Sequence, residues 1–390
     1  MLNIENKMSK YSYDKLLLVQ PKFNSTLTDL IIELDYLRKK PLGGSTPPRI
    51  FFQLKSIFHT LESIGSARIE GNHTTIAEFI ETKLERHKSK DEKINEIQNI
   101  EAAMDFIDNS IDATPINDAF IRELHKRVVG GLSPHEEGDT HPGEYRKGNI
   151  KIAGTQHVPP ESLQVIDYMQ ELNGFINNDD PHKYDLLKIA LAHHRFVWIH
   201  PFGNGNGRTV RLLTYAQLIK SGFNVHVGRI INPTAIFCSD REKYYSYLSK
   251  ADAGDSTGLL NWSEYVLSGL KQEIEKIDHL LDYSYLSEKI LLPAISFSLD
   301  RKVITQLEAD ILKIAVKKQL FQASDLKELF PNTIPAQVSR YISRLKEKKM
   351  IAPENKNSRK YLIDFGNNYL LRGVIKMLDQ HGFLPLKGES

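Results

Sequence analysis

The chain has very little cysteine, since Cys238 is the only one among its 390 residues. One thiol cannot form an internal disulfide, so the class of small disulfide-stapled secreted proteins is excluded, and a reducing compartment fits. The first ten residues, MLNIENKMSK, lack the apolar core of a signal peptide, and no apolar run reaches the length of a membrane span. We therefore expect a cytoplasmic protein that has no membrane partner.

A strong net charge is also missing, but the charges are unevenly distributed. The whole chain has 51 Lys and Arg against 49 Asp and Glu. Residues 301–390 contain 17 Lys and Arg against 9 Asp and Glu, which leaves 34 against 40 for residues 1–300. With 41% hydrophobic residues the chain is long enough for two or three folded domains, and its basic charge is concentrated at one end.

The most informative stretch is HPFGNGNGR at residues 200–208, with Arg211 one turn later. The spacing of apolar residues predicts one helix over 184–200, ended by the proline, and a second helix over 208–221. Three glycines in the connecting loop let backbone N–H groups approach an anion, and the second helix adds the positive end of its dipole. The sequence therefore predicts a site for nucleotide phosphates.

Two arginines at this loop, Arg208 and Arg211, are three residues apart and share a helix face. Their guanidiniums supply permanent charge and forked donors to phosphoryl oxygens. A Walker loop does not fit, because Gly207 is followed by Arg rather than Lys. A dinucleotide-binding loop does not fit either, because such a loop follows a strand, whereas this loop follows a predicted helix. The remaining alternative is a glycine-rich connector between helices with solvated arginines.

The run resembles the core motif of Fic-domain proteins, His-Pro-Phe-x-Asp/Glu-Gly-Asn-Gly-Arg-x-x-Arg, and related features extend from about Ser63 to Tyr245. The resemblance implies transfer of AMP from ATP, as cosubstrate, to a side-chain hydroxyl of a target protein. It implies His200 as the general base, because a neutral imidazole can take the hydroxyl proton as the oxygen attacks the α-phosphorus. The ATP-binding residues that it implies are Gly205, Asn206, Gly207, Arg208 and Arg211.

Asn204 is the one departure from that motif, since Fic proteins usually carry there the carboxylate that binds Mg²⁺. A divalent cation prefers charged oxygen ligands, although an amide oxygen can substitute when phosphates and waters complete the shell. The resemblance therefore implies activity that depends on Mg²⁺ or Mn²⁺ with a raised metal requirement. A carboxylate recruited from elsewhere, or a reduced or altered transfer, remains open.

A second segment, SARIEGN at residues 66–72, resembles the inhibitory motif of Fic proteins, Ser/Thr-x-x-x-Glu-Gly/Asn. The apolar spacing predicts a helix that ends near Gly71, with Ser66 and Glu70 on one face. The resemblance implies that Glu70 pairs with Arg211 and occupies the space and charge that the γ-phosphate needs, while Ser66 steadies the carboxylate. An ordinary surface helix end is the alternative for this segment taken alone.

Two further segments are candidates for target and base recognition. Ile150 and Ile152 alternate around Lys151 close to glycines, which predicts a short β-hairpin. The resemblance implies that this flap pairs with the target's backbone and delivers its hydroxyl, whereas the spacing alone fits a structural hairpin equally well. Tyr244 and Tyr245 lie on a predicted helix, where one of them could stack on adenine or the helix could pack its tyrosines into the core.

The basic carboxyl-terminal region predicts a helix-turn-helix followed by a two-stranded wing. Helical patterns over 323–330 and 335–349 flank a turn, and the segments 350–353 and 359–363 form the wing. This order is similar to that of winged-helix domains, which occur at the carboxyl end of some Fic proteins. Winged helices bind DNA or mediate protein contacts and dimerisation, and both remain open. The residues on the outer face of the predicted recognition helix are Gln337, Arg340 and Arg344.

Together these patterns predict a mainly α-helical protein in three regions. Residues 1–95 form a helical region with the inhibitory motif, 96–285 a Fic core with a small β-hairpin flap, and 286–390 a winged-helix domain. The predicted function is AMP transfer to Ser, Thr or Tyr of an unknown target, restrained by Glu70, and it is compatible with self-modification and a homodimer. The alternative is a winged-helix transcriptional regulator whose Fic core senses a nucleotide without efficient transfer.

Overall fold

The computed structural model of the protein describes residues 15–39, 44–85, 91–152, 154–223, 231–331 and 333–384. These residues are predominantly helical, as the sequence predicts, with one two-stranded sheet among them. No helix in the described ranges is long and apolar enough to cross a bilayer.

The first five helices are α1 (Thr26–Lys39), α2 (Pro48–Glu70), α3 (Ile76–Glu85), α4 (Glu92–Ser110) and α5 (Asp118–Val129). Helix α2 is the longest of them, and it packs along α4. It ends at Gly71, whose φ of 108° lies in the left-handed region that glycine tolerates. The predicted helix end after Glu70 is therefore present.

The centre of the fold consists of two consecutive helices, α7 (Asp185–Ile199) and α8 (Asn206–Lys220), which are buried around nearly their whole circumference. Burial on all sides is typical of a helix inside a core. Helix α7 packs against α8, and α8 packs against α5, α4 and α2. The loop between α7 and α8 is therefore held by several helices. The surrounding helices are α6 (Val165–Asn177), α9 (Pro233–Cys238), α10 (Arg241–Ala251) and α11 (Ser256–Asp278).

The predicted β-hairpin flap around Lys151 is wrong, because residues 149–152 and 154–160 form an irregular segment without a strand. Its anchor is the guanidinium of Arg146, whose Nε donates to the carbonyl of His200 at 2.9 Å and whose Nη1 donates at 3.0 Å to the carbonyl of Gly148, just before the segment. A side chain therefore satisfies backbone groups here in place of a strand ladder. The segment still borders the loop between α7 and α8.

The carboxyl-terminal elements enclose a small second core. They are α12 (Tyr283–Tyr285), a π-helical segment (Leu286–Leu291), α13 (Leu292–Asp300), α14 (Gln306–Lys318), a 3₁₀ helix (Ala323–Leu329), α15 (Pro335–Glu347), β1 (Ile351–Pro353), β2 (Tyr361–Ile363) and α16 (Leu371–Gln380). Strands β1 and β2 pair antiparallel, with Ile351 opposite Ile363. The order of short helix, turn, helix and two strands follows the predicted order, although the first helix is of the 3₁₀ type.

The carboxyl-terminal sheet is bonded directly to α2 near the amino-terminal end of that helix. Gln53 Nε2 donates to the carbonyl of Ile363 at 2.9 Å, and its Oε1 accepts from the N–H of Phe365 at 2.8 Å. This reciprocal pair joins a helix of the amino-terminal region to β2. The predicted domain boundaries at residues 95 and 285 stay predictions.

Candidate active site

The loop between α7 and α8 begins with His200 in an uncommon backbone conformation. His200 caps α7 with φ 50° and ψ 63°, in the left-handed region, and its N–H still bonds to the carbonyl of Phe196. Non-glycine residues rarely adopt this region, and such positions are concentrated at functional sites. The left-handed turn and the proline that follows direct the chain away from α7, so the imidazole lies at the edge of the glycine loop.

The imidazole of His200 is half-buried and neutral. Nδ1 lies 3.3 Å from the carbonyl of Val197, and because a carbonyl only accepts hydrogen bonds, Nδ1 carries the proton. Nε2 is then the unprotonated nitrogen. Burial lowers the pKa of His200 to about 4, against the smaller opposing effects of the Val197 carbonyl and of Glu70. The ring therefore has a free basic nitrogen at neutral pH.

We expect His200 to stay neutral over the whole range from pH 8 to about pH 5. The reason is the pKa near 4, since an exposed imidazole with a pKa near 6.5 would be mostly protonated at pH 5. The measurement is a pH titration of the ring resonances in the nucleotide-free protein with labelled histidine, assigned by their loss in His200→Asn. A midpoint between pH 6 and 7 would contradict this expectation.

Phe202 and Asn206 anchor the glycine loop to the core. Phe202 is fully buried and stacks on His125 with ring centroids 3.7 Å apart. Asn206 Oδ1 accepts from the Phe202 N–H, and its Nδ2 donates to the Phe202 carbonyl, both at 2.9 Å. The side-chain amide of Asn206 therefore closes the loop, and the part of this implied ATP-binding residue that could meet a phosphate is its backbone N–H at the start of α8.

His125 is a supporting residue that the sequence does not indicate. Its Nδ1 accepts from the Gly143 N–H at 2.9 Å, so Nε2 carries the proton and donates to the carbonyl of Asn204 at 3.0 Å. Burial lowers its pKa to about 4, which keeps this pattern of hydrogen bonds intact at neutral pH. His125 thus fixes the backbone of the loop from α5.

The predicted pair of Glu70 and Arg211 is present at the start of α8. Arg211 Nη2 lies 2.5 Å from Glu70 Oε1. Burial alone would raise the pKa of Glu70, but Arg211 and Arg208 together hold it below its usual value, so the carboxylate is charged. A Cβ at Gly207 would collide with Glu70 Oε1, so the carboxylate also lies against the backbone of the glycine loop.

Ser66 holds the arginine rather than the carboxylate. Arg211 Nε donates to Ser66 Oγ at 2.8 Å, and Nη2 donates to the Ser66 carbonyl at 3.0 Å. The predicted support of Glu70 by Ser66 is therefore wrong in its partner. Since Ser66 and Glu70 lie one turn apart on α2, they grip Arg211 together.

Arg208 is held by two carboxylates that the sequence does not indicate. Its Nη1 lies 2.8 Å from Glu96 Oε1, and its Nη2 lies 3.0 Å from Glu137 Oε2. The Arg208 side chain is 1% exposed, and its Nε has no hydrogen-bond partner within the described part of the chain. The two carboxylates therefore bind the Nη atoms of Arg208 and leave its Nε unpaired among the described residues.

The amide of Asn204 does not fit the predicted role of metal ligand. Its Nδ2 donates to the carbonyls of Glu136 and Gly138 at 3.0 and 3.1 Å, and its Oδ1 accepts from the Gly205 N–H at 2.6 Å. No group of three or more His, Cys, Asp or Glu side chains in the described residues could hold a metal ion. Asn204 instead supports a loop, and the requirement for Mg²⁺ or Mn²⁺ stays a prediction.

The two tyrosines predicted for adenine differ sharply in exposure. Tyr244 is 2% exposed and its hydroxyl lies 3.0 Å from Nε2 of His193, so it belongs to the core and its predicted stacking role is wrong. Tyr245 is 42% exposed, and the guanidinium of Arg241 lies over its ring at 5.5 Å. Of the two, only Tyr245 has a face accessible to a base. At the flap, Lys151 is exposed, and Ile150 and Ile152 are half-buried.

The region around this loop is similar in sequence to known proteins. Residues 115–218 match the model of the Fic/DOC family. The chain is 33% identical over 207 residues to the protein adenylyltransferase Fic of Aedes aegypti, covering 51% of this chain and 38% of that protein. It is 30% identical over 251 residues to the protein of the same name from Nematostella vectensis, covering 60% and 53%. The chain thus spans about half or less of the length of these curated relatives.

Solved structures show the same fold. A Fic family protein from Desulfovibrio desulfuricans G20 superposes with a TM-score of 0.55 at 20% identity, covering 90% of this chain and 98% of that one. A Fic domain containing signaling protein from Bacteroides thetaiotaomicron superposes with a TM-score of 0.51 at 18% identity, covering 66% and 97%. The loop at 200–208 lies inside the residues that match the Fic/DOC family model, so this region of the chain is similar to a Fic domain.

Proposed function

We propose that this chain is a protein adenylyltransferase that moves AMP from ATP to a hydroxyl side chain of Ser, Thr or Tyr on a target protein. The observation that carries the proposal is the neutral imidazole of His200, with Nε2 unprotonated, next to the glycine loop and the start of α8. A base and an anion site side by side are what this reaction requires. The names of the curated relatives support the same activity.

In the proposed reaction the hydroxyl oxygen of the target attacks the α-phosphorus of ATP. Its proton passes to Nε2 of His200, and the bond from the α-phosphorus to the oxygen bridging to the β-phosphate breaks, which releases pyrophosphate. Backbone N–H groups at Asn206 and Gly207 bind phosphoryl oxygens at the positive end of α8, and the Gly205 N–H can join them only after it leaves Asn204 Oδ1. Arg208 and Arg211 stabilise the charge that develops on pyrophosphate. A metal ion, when bound, would neutralise part of the triphosphate charge.

Glu70 restrains the reaction in the proposed scheme. Its carboxylate neutralises Arg211 and lies against Gly207, so it occupies both the charge and the space that a γ-phosphate needs. A triphosphate could bind productively only if Glu70 moved away from Arg211 or lost its charge. The test of the whole proposal is transfer of label from α-labelled ATP to protein, by the full chain with and without Glu70.

The target stays unidentified, and self-modification is one outcome of that assay. The exposed Lys151 and the half-buried Ile150 and Ile152 lie in the irregular segment that follows Arg146, and they are the proposed contact with the target's backbone. The buried thiol of Cys238 is compatible with a reducing compartment, and we place the protein in the cytoplasm. A homodimer stays an open proposal.

DNA binding is a second candidate function, favoured by one helix of the carboxyl-terminal region. Helix α15 buries Val338, Ile342 and Leu345 and exposes its opposite face. The residues predicted for recognition, Gln337, Arg340 and Arg344, are all exposed on that face. Two exposed guanidiniums in a region with excess positive charge are suited to DNA phosphates. In this alternative the Fic domain senses a nucleotide for a transcriptional regulator.

The double variant Arg340→Ala/Arg344→Ala is expected to weaken binding to mixed genomic fragments. Loss of two phosphate contacts should also reduce the slope of log K against log salt by about 1.8. The measurement is a gel shift or fluorescence titration at several salt concentrations. The matched control is Lys317→Ala/Lys318→Ala, which removes the same charge from exposed positions on α14. Equal losses in both double variants would exclude α15 as the recognition helix.

A further inference from the structure

The two carboxylates that hold Arg208 differ in their freedom to move. Glu96 is 1% exposed and belongs to α4, and its Oε2 also accepts from Asn72 Nδ2 at 2.8 Å, so it is fixed from both sides. The side chain of Glu137 is 36% exposed and belongs to the loop between α5 and α6. Glu96 therefore orients the guanidinium, whereas Glu137 is a partner that another anion can displace.

Asn204 fixes the loop that carries Glu137. Its Nδ2 donates to the carbonyls of Glu136 and Gly138, the residues on either side of Glu137, and its N–H donates to Asp139 Oδ2 at 2.9 Å. An aspartate at this position would lack both amide donors and would place negative charge against two carbonyl oxygens. The residue that departs from the Fic motif is thus the one that positions Glu137.

We infer that Asn204 and Glu137 form a second lock on the phosphate site, separate from the lock formed by Glu70. Asn204 holds the loop, and Glu137 keeps Arg208 occupied until the phosphates of a nucleoside triphosphate displace it. The inference rests on the proposed function, because it assigns the two residues to control of ATP access. It also gives Asn204 a part that does not involve a metal ion.

The distribution of charge supports a displaceable Glu137. Three carboxylates, from Glu70, Glu96 and Glu137, surround the guanidiniums of Arg208 and Arg211. Burial raises the pKa of Glu137, Arg208 opposes this, and the like charge of Glu70 raises it further. A carboxylate in such surroundings gives up its partner more readily than one with matched charges. Removing it should leave Arg208 paired with Glu96 alone, so that an incoming anion meets one competing carboxylate fewer.

The test measures the affinity of the full chain for ATP by calorimetry, with and without Mg²⁺. Glu137→Gln should bind ATP about three- to tenfold more tightly than the wild type, because Arg208 loses a competing anion. Glu136→Gln is the matched control, since it removes one charge from the same loop at an exposed side chain. It should change the affinity less than twofold.

Double variants show whether two residues belong to the same lock or to different locks. Glu137→Gln and Asn204→Ala act on the same lock, so the double variant should bind ATP no more tightly than the better single variant. Glu70→Gly and Glu137→Gln remove carboxylates that are bonded to different arginines, so the double variant should bind ATP more tightly than either single variant. Multiplicative gains for Asn204 and Glu137 would overturn the assignment of Asn204 to that lock.

Two further results would overturn the inference. An ATP affinity of Glu137→Gln equal to that of Glu136→Gln would show that Glu137 does not compete with ATP for the site. Weaker binding by Glu137→Gln only when Mg²⁺ is present would identify Glu137 as a metal ligand instead. If Asn204→Ala fails to fold, the comparison of ATP affinity between Glu137→Gln and Glu136→Gln still tests whether Glu137 competes with ATP. If Glu70→Gly does not bind ATP, both the proposed function and this inference are wrong.

Discussion

Replacing His200 in a Glu70→Gly background is expected to abolish transfer of AMP from α-labelled ATP to protein. A positioned general base contributes about 10²- to 10⁴-fold, and Nε2 of His200 is the unprotonated nitrogen at the loop. His200→Ala and His200→Asn should both reduce labelling to the detection limit. The asparagine variant is needed because it tolerates the left-handed backbone at φ 50° better than alanine does.

The control for this prediction is His182→Ala, whose side chain is 93% exposed in the turn just before α7, at the end of that helix away from His200. That variant should label protein at the parent rate. Both His200 variants should still bind ATP, because the glycine loop and the arginines remain. Undiminished labelling by His200→Asn, in a protein that melts at the parent temperature, would exclude His200 as the base.

Replacing Glu70 alone is expected to raise both ATP affinity and labelling. The carboxylate must leave Arg211 before a γ-phosphate can take its place, and a coupling of 1–3 kcal/mol corresponds to roughly 5- to 150-fold. Glu70→Gly should give a gain in that range, because glycine removes both the charge and the side chain that lies against Gly207. The measurement is the initial rate of label incorporation at fixed ATP.

Glu70→Gln distinguishes the two ways in which this carboxylate blocks the site. Glutamine keeps the size of the side chain and removes its charge. An intermediate rate would show that charge and space both matter, as the contacts with Arg211 and Gly207 lead us to expect. A rate unchanged from the wild type in both variants would remove Glu70 from any regulatory role.

The features that depend on residues close together in the sequence were predictable from it. Helical spacing and a proline placed α7 and α8 on either side of the glycine loop, and Gly71 ended α2 as expected. The pair of Glu70 and Arg211 joins residues 141 positions apart, and it followed only from the resemblance to Fic proteins. Local physics predicts elements and their ends, and motif knowledge adds selected long-range pairs.

The remaining site contacts depend on tertiary packing that no local pattern encodes. Arg208 meets Glu96 across 112 positions, and neither residue stands in a recognisable motif with the other. The alternation around Lys151 predicted a hairpin, but a strand needs a partner and Arg146 bonds the nearby backbone instead. The exposed face of Tyr245 could not be told from the buried one of Tyr244, because burial is decided by α11 and its neighbours.

Helix α2 has a mechanical consequence for communication across the molecule. Gln53 bonds it to the carboxyl-terminal sheet, and Glu70 rests on the glycine loop 17 residues later, which corresponds to about 25 Å along a single helix. A rod of that kind transmits axial displacement from one end to the other. A partner that displaces the carboxyl-terminal sheet would thereby change how closely the Glu70 carboxylate contacts Arg211 at the other end of α2.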